Sequence, residues 1–276
     1  GNGFGDFLRH GANIFVSDDH EFWNNYPFPA SQVPFTYRAA ERQRLGGLAA
    51  TLCRAFQAHC PEGDGPRALH EVRLGEPGRA GHLELMAIDG RLERAYERAH
   101  WPADIERLCD RLRRLTAPAV VVLSQPLFEV AQSGVRRRWV DAGIPDFRDY
   151  EPLVHALDDA PHDVLVLSGD IHCGRIAVCP ASRGRSKIVE VVASPLSLIA
   201  GTKYYDTPAH GAFPSRPLRG GQVPSRPVEM AFGPLKCDHA ATLQFHAKDR
   251  AVEVEVAYWG VRDRRLLAPP WRVTLH

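Results

Sequence analysis

Two short apolar runs dominate the chain, AVVVLS over 119–124 and DVLVLS over 163–168. Runs of this length, rich in β-branched residues and bounded by polar ones, predict strands covered on both faces. ANIFVS at 12–17 reads as another buried strand, and 82–88, 174–179 and 187–193 as further strands. Helical periodicity lies between them. Leu45, Leu48, Ala49, Leu52, Phe56 and Cys60 share one face of a helix expected over about 37–60. A second helix, over 102–115, has Pro102 in its first turn and Ile105, Leu108, Leu112 and Leu115 on its core side. Residues 149–158 read as a third. Helices alternating with buried strands predict a layered α/β body. The pattern changes near the C-terminus, where 240–247, 251–259 and 271–275 alternate apolar and polar positions, as antiparallel strands closing a fold do. Before them, residues 203–236 hold six prolines and four glycines and are expected to form a long loop or lid. With no internal repeat and no linker, the reading is a single domain over 1–276, with 237–276 as its closing strands.

Composition narrows the function classes. The 276 residues carry 34 Lys and Arg against 33 Asp and Glu, a net charge of +1, so no basic field points to nucleic acid or to an anionic membrane. No uninterrupted apolar run reaches the length of a spanning helix. The six cysteines form no C-x-x-C pair, and free thiols in a chain without a visible signal peptide favour a cytoplasmic protein. The chain does not begin with Met, and its only methionines are Met86 and Met230. The native start is therefore expected to lie upstream.

Polar clusters follow three of the expected strands. Asp18-Asp19-His20-Glu21 and then Phe22-Trp23-Asn24-Asn25 follow the first; Gln125-Pro126 follows the second. Gly169-Asp170-Ile171-His172-Cys173-Gly174 follows the third. Sites of layered α/β folds lie beyond the carboxyl ends of strands, so these clusters are expected to meet. Carboxylates and imidazoles are ligands for hard to borderline cations. Three acids packed into Asp18–Glu21 would repel one another if buried without a cation. Taken singly, the first cluster also fits a helix N-cap and the third a turn with a hydrogen-bonded histidine.

SDDHEFWNNYP, LSQPLFE, LSGDIHCGR and the strand end MAIDGR resemble the alkaline phosphatase D-like metallophosphatases of the calcineurin-like metallophosphoesterase superfamily. The resemblance runs from about residue 12 to about 200. It implies a sandwich of two mixed β-sheets flanked by helices, with metal ions between loops, two of them in a complete protein. It implies Asp19, Asp170 and His172 as metal ligands and His20 as the catalytic group facing the phosphate and the leaving oxygen. Asp18, Asn24, Asn25 and Gln125 would then orient the site or the substrate. The implied substrate is a phosphate ester, monoester or diester, and the implied ions are Fe, Ca, Mn or Zn. The family's two upstream ligand motifs have no counterpart here, since Gly5-Asp6 follows no buried strand. The expectation is an N-terminally truncated chain with a partial active site. Two alternatives stay open: a non-catalytic remnant that keeps the fold, and a hydrolase using one ion held by Asp19, Asp170 and His172.

Overall fold

The computed structural model describes residues 8–17, 22–23, 26–30, 32–56, 69–92, 94–99, 102–132, 142–182, 184, 186–194, 196, 208–219 and 223–276. Its centre is a seven-stranded mixed sheet. In chain order the strands are β1 (Leu69–Leu74), β2 (Leu83–Ile88), β3 (Ala119–Leu123), β4 (Val164–Ser168), β5 (Gly174–Pro180), β6 (Lys187–Val192) and β9 (Glu229–Leu235). Across the sheet they lie in the order β1-β2-β3-β4-β6-β5-β9. The inner four, β2, β3, β4 and β6, run parallel, while β1, β5 and β9 join antiparallel to their neighbours. All four parallel strands therefore end on one edge.

The unbroken apolar runs are explained by the layers on either side. Val121 and Leu123 of β3 and Val164 and Val166 of β4 point to one face. There they pack on Ile105, Leu108 and Leu112 of α2 (Pro102–Arg113) and on Leu153, Val154 and Leu157 of α3 (Tyr150–Asp159). Val120 and Leu165 point to the opposite face. This face is covered by a three-stranded antiparallel sheet of β10 (His239–Lys248), β11 (Ala251–Gly260) and β12 (Trp271–Leu275), through Val252, Val254, Val256 and Leu275. Strands buried on both faces have no polar side to alternate with, hence the continuous runs. The expected α/β architecture, two packed sheets with flanking helices, is the one observed. The second sheet is antiparallel rather than mixed, because its strands are joined by a tight hairpin and a short return.

The layers are tied by specific bonds. Tyr258 of β11 donates its hydroxyl between Arg175 O and Val192 O, 2.9 Å from each. At the start of β4, Asp163 N donates to His276 O and Asp163 Oδ2 accepts from His276 N, both at 2.9 Å. Gly174 sits where a Cβ would lie 2.5 Å from His239 Nε2 and 3.1 Å from the Tyr258 ring, so only glycine allows the second sheet this close.

Three local expectations are corrected. Residues 12–17 form no strand; Ile14 and Phe15 are exposed, and only Val16 and Ser17 turn inward. Apolar content alone did not supply a hydrogen-bonding neighbour. The first helix, α1 (Ala39–Phe56), is present, but it buries Gly46, Ala50 and Cys53, while Leu48 and Leu52 face solvent. Gly46 admits the Tyr26 ring, 3.1 Å from its missing Cβ, and this contact turns the helix away from its leucine stripe. The Phe56 side chain and Cys60 lie outside the described residues.

The third correction concerns 203–236, which is no loop throughout. Its last part is β9, and β7 (Ala212–Phe213) pairs with β8 (Arg226–Pro227). Phe213 is fully buried between Phe128 and Tyr150, and Arg226 is ion-paired with the buried Asp158. Residues 203–207 and 220–222 lie outside the described residues. Among the described cysteines, Cys53, Cys109, Cys173 and Cys179 are buried, and Cys237 is exposed.

Candidate functional site

The carboxyl ends of the parallel strands gather a polar cluster centred on Asp170. β4 ends at Ser168, and the chain reverses through Gly169, Asp170, Ile171 and His172 before entering β5. Ile171 N donates to Gly169 O at 2.9 Å, and Asp170 between them has φ 72°. This is a three-residue γ-turn centred on a non-glycine residue in the left-handed region, a strained arrangement. His172, two residues on, also has positive φ, 54°. Neighbouring groups hold the turn in place. Arg91 Nη2 donates to Asp170 Oδ1 at 3.0 Å, and Gln125 Nε2 donates to Asp170 Oδ2 at 2.6 Å. Arg91 is fully buried and the Asp170 side chain is 6% exposed. The Gln125 amide is itself oriented, since its Oε1 accepts from Arg94 Nη2 at 2.6 Å.

The end of β2 supplies the second part. Asp89 Oδ1 accepts from Arg91 N and Leu92 N at 2.8 Å, while its Oδ2 accepts from Ser17 N at 2.7 Å. The Ser17 hydroxyl donates to the same carboxylate. Ser17 immediately precedes Asp18, and Arg91 Nη1 approaches Tyr26 O at 3.5 Å. The chain thus enters 18–25 beside Asp89 and leaves it beside Arg91. A cavity of about 470 Å³ opens there, bordered by Ser17, Ser124 and Asp170.

One layer deeper lies a buried ionic triad. Arg175 Nη2 donates to Glu129 Oε1 at 2.8 Å, to Glu190 Oε2 at 3.0 Å and to Phe128 O at 3.2 Å. Glu190 also accepts from Leu127 N at 2.5 Å and Phe128 N at 3.0 Å, fixing the loop that leaves β3. Two carboxylates share one guanidinium. Burial, with the negative charges of Glu190 and Asp170, therefore pushes the Glu129 carboxyl up to about 7 despite its bond to Arg175.

The structure brings Gln125 and Asp170 into direct contact. His172 sits half-buried on the same turn. Asp18, Asp19, His20, Asn24 and Asn25 lie outside the described residues. Arg91, Arg94, Asp89 and the triad were missing from the sequence-based site. Asp89-x-Arg91 was detectable by the rule that found the others, a polar pair straight after a buried strand. Among the described residues no group of three His, Cys, Asp or Glu could hold a metal ion. The cation facing Asp170 is the Arg91 guanidinium, so the described residues alone do not fit a metal centre.

Fold and cluster together define a mixed α/β protein with a carboxylate presented from a strained turn at the shared edge of four parallel strands. No protein-family model and no curated protein matches the sequence. Among solved structures the chain is similar to the purple acid phosphatase PPD1 isolated from yellow lupin (Lupinus luteus) seeds. The identity is 8% and the TM-score 0.43, over 94% of this chain and 40% of that one. The chain thus spans well under half the length of that phosphatase, and a likeness at this score decides nothing about activity. No described helix is long and apolar enough to cross a membrane.

Proposed function

We propose that this chain carries the body of a phosphoric-ester hydrolase, with its reaction centre at the carboxyl edge of the parallel strands. The observation that supports this reading is the Asp170 turn. A strained, non-glycine γ-turn clamped by Arg91 and Gln125 represents free energy stored at one point of the fold, and such points cluster at reaction sites. The resemblance of SDDHEFWNNYP and LSGDIHCGR to the alkaline phosphatase D-like metallophosphatases adds the reaction class. In that reaction the oxygen of water adds to phosphorus, the ester P–O bond breaks, and a proton ends on the leaving alcohol. His20 is the residue proposed to face that leaving oxygen, with Asp170 and His172 on the opposing turn. Any resident ion would have to draw on Asp19 in addition to Asp170 and His172.

The test measures release of p-nitrophenol from p-nitrophenyl phosphate and bis(p-nitrophenyl) phosphate by the full chain, with metal content read on the same sample. Turnover that falls by about 10²-fold or more in Asp170→Asn supports the proposal. Turnover unchanged in that variant removes Asp170 from the centre. The Arg91–Asp170 pair favours one second reading, a non-catalytic domain that keeps the fold, because a guanidinium already satisfies the carboxylate. Absence of turnover on both esters selects it.

A further inference from the structure

A second cavity, of about 350 Å³, lies at the amino ends of β2, β3 and β4, the edge opposite the Asp170 turn. Three segments build its charged lining. The loop between β1 and β2 brings Arg79 and His82, the loop before β4 brings His162, and the turn between β10 and β11 brings Asp249 and Arg250. These loops lie wholly within the described residues. The two hairpins meet closely because Gly81, φ 80°, has no side chain; a Cβ there would lie 2.8 Å from Ala247 Cβ. The lining holds donors that the fold leaves unused. His82 is only 6% exposed, yet its Nε2 makes no hydrogen bond. A buried polar atom without a partner is costly, and a ligand that supplies one recovers the cost. Arg250 is exposed on its turn and makes no ion pair among the described residues. Arg79 Nε meets Glu76 at 2.6 Å, but the two side chains are 77% and 69% exposed, and such a pair binds weakly.

We infer that this cavity binds a tetrahedral dianion, a phosphate or sulfate group, at a site separate from the Asp170 centre and independent of the hydrolase reading. Arg79 and Arg250 supply two positive charges against the Asp249 carboxylate, and His82 and His162 add neutral N–H donors. Donors converging from three separate segments suit the oxygens of a tetrahedral anion, which point in different directions, better than the flat edge of a carboxylate. A guanidinium carries five N–H groups, so Arg79 keeps donors for the anion while Glu76 holds its Nε. His82 Nε2 can serve the ligand without giving up a bond of the fold. The dianion can arrive free or as the head of a small organic molecule, and the volume, within the ordinary range of small-molecule pockets, admits both.

The experiment is calorimetric titration of the full chain at about pH 7.5 with sodium sulfate, inorganic phosphate and phenylphosphonate, against sodium chloride of matched ionic strength. Saturable binding of sulfate and phosphate is expected. It should weaken about tenfold in Arg250→Gln and in Arg79→Gln, since each loses a charged donor. His82→Gln should weaken it too. Both arginine positions are exposed, so the test stands even if His82→Gln does not fold. Asp170→Asn, at the other edge, should leave sulfate affinity unchanged. Phenylphosphonate, whose P–C bond resists hydrolysis, separates the two sources. Binding tighter than that of phosphate assigns the head of an organic molecule, and equal or weaker binding assigns the free anion. No saturable binding beyond that of chloride overturns the inference. So does an affinity that both arginine variants leave intact, or one that falls only in Asp170→Asn.

Discussion

Replacing Glu129 by Gln should make the protein more stable, by an amount that grows from about pH 4.5 to about pH 7 and is constant above. The Glu129 side chain is 16% exposed and shares the Arg175 guanidinium with the fully buried Glu190. Its carboxyl is raised from 4.5 to about 7, first by burial. A folded-state pKa above the unfolded one means that the folded protein holds a proton the unfolded chain has already released. The stabilisation from that proton is complete below about 4.5 and is lost as pH rises through about 7. At about 1.4 kcal/mol per pH unit, the loss is about 3 kcal/mol at full ionisation. Glutamine keeps an oxygen to accept from Arg175 and cannot ionise. Urea unfolding at about pH 4 should therefore give nearly equal stabilities for the two proteins. At pH 8.5 Glu129→Gln should be ahead by about 2–3 kcal/mol. Stability curves that stay parallel from pH 5 to 8.5, or a wild-type protein that gains on the variant as pH rises, would refute the reasoning.

Other expectations follow from packing. Gly174→Ala places a methyl group against His239 and Tyr258; thermal melting should show a loss of about 1–3 kcal/mol. Phe213→Ala empties a fully buried ring site between Phe128 and Tyr150. A cost of about 3–5 kcal/mol is expected in denaturant titration, whereas a freely moving loop would show almost none.

The central sheet and its helices were legible because both faces of each inner strand are covered. AVVVLS and DVLVLS became β3 and β4, and the Ile105, Leu108 and Leu112 stripe became the buried face of α2. Legibility failed where neighbours, not composition, decide. ANIFVS has the look of a strand, yet it lies irregular beside the site, because what fixes it is a bond from Ser17 to Asp89, 72 residues away in sequence. The Leu48 and Leu52 stripe of α1 faces solvent because the Tyr26 ring claims the glycine face instead. β9 hides in a proline- and glycine-rich stretch because Gly233, φ 95°, bends past Gly174 O, a close approach that local propensity does not encode. At the site, the strand-end rule found Gln125 and Asp170. It reaches Asp89-x-Arg91 as well, but it does not show that the Arg91 guanidinium is the cation facing Asp170, 79 residues away in sequence.

The bonds between Asp163 and His276 have a practical corollary. They hold His276 where β4 begins, whereas Asp170 lies just past the point where the same strand stops. Five extended residues, roughly 17 Å, separate the two. A bead, sensor chip or fused tag joined to the chain next to His276 would therefore grip the molecule from behind and leave the Asp170 cavity turned toward the surrounding solution.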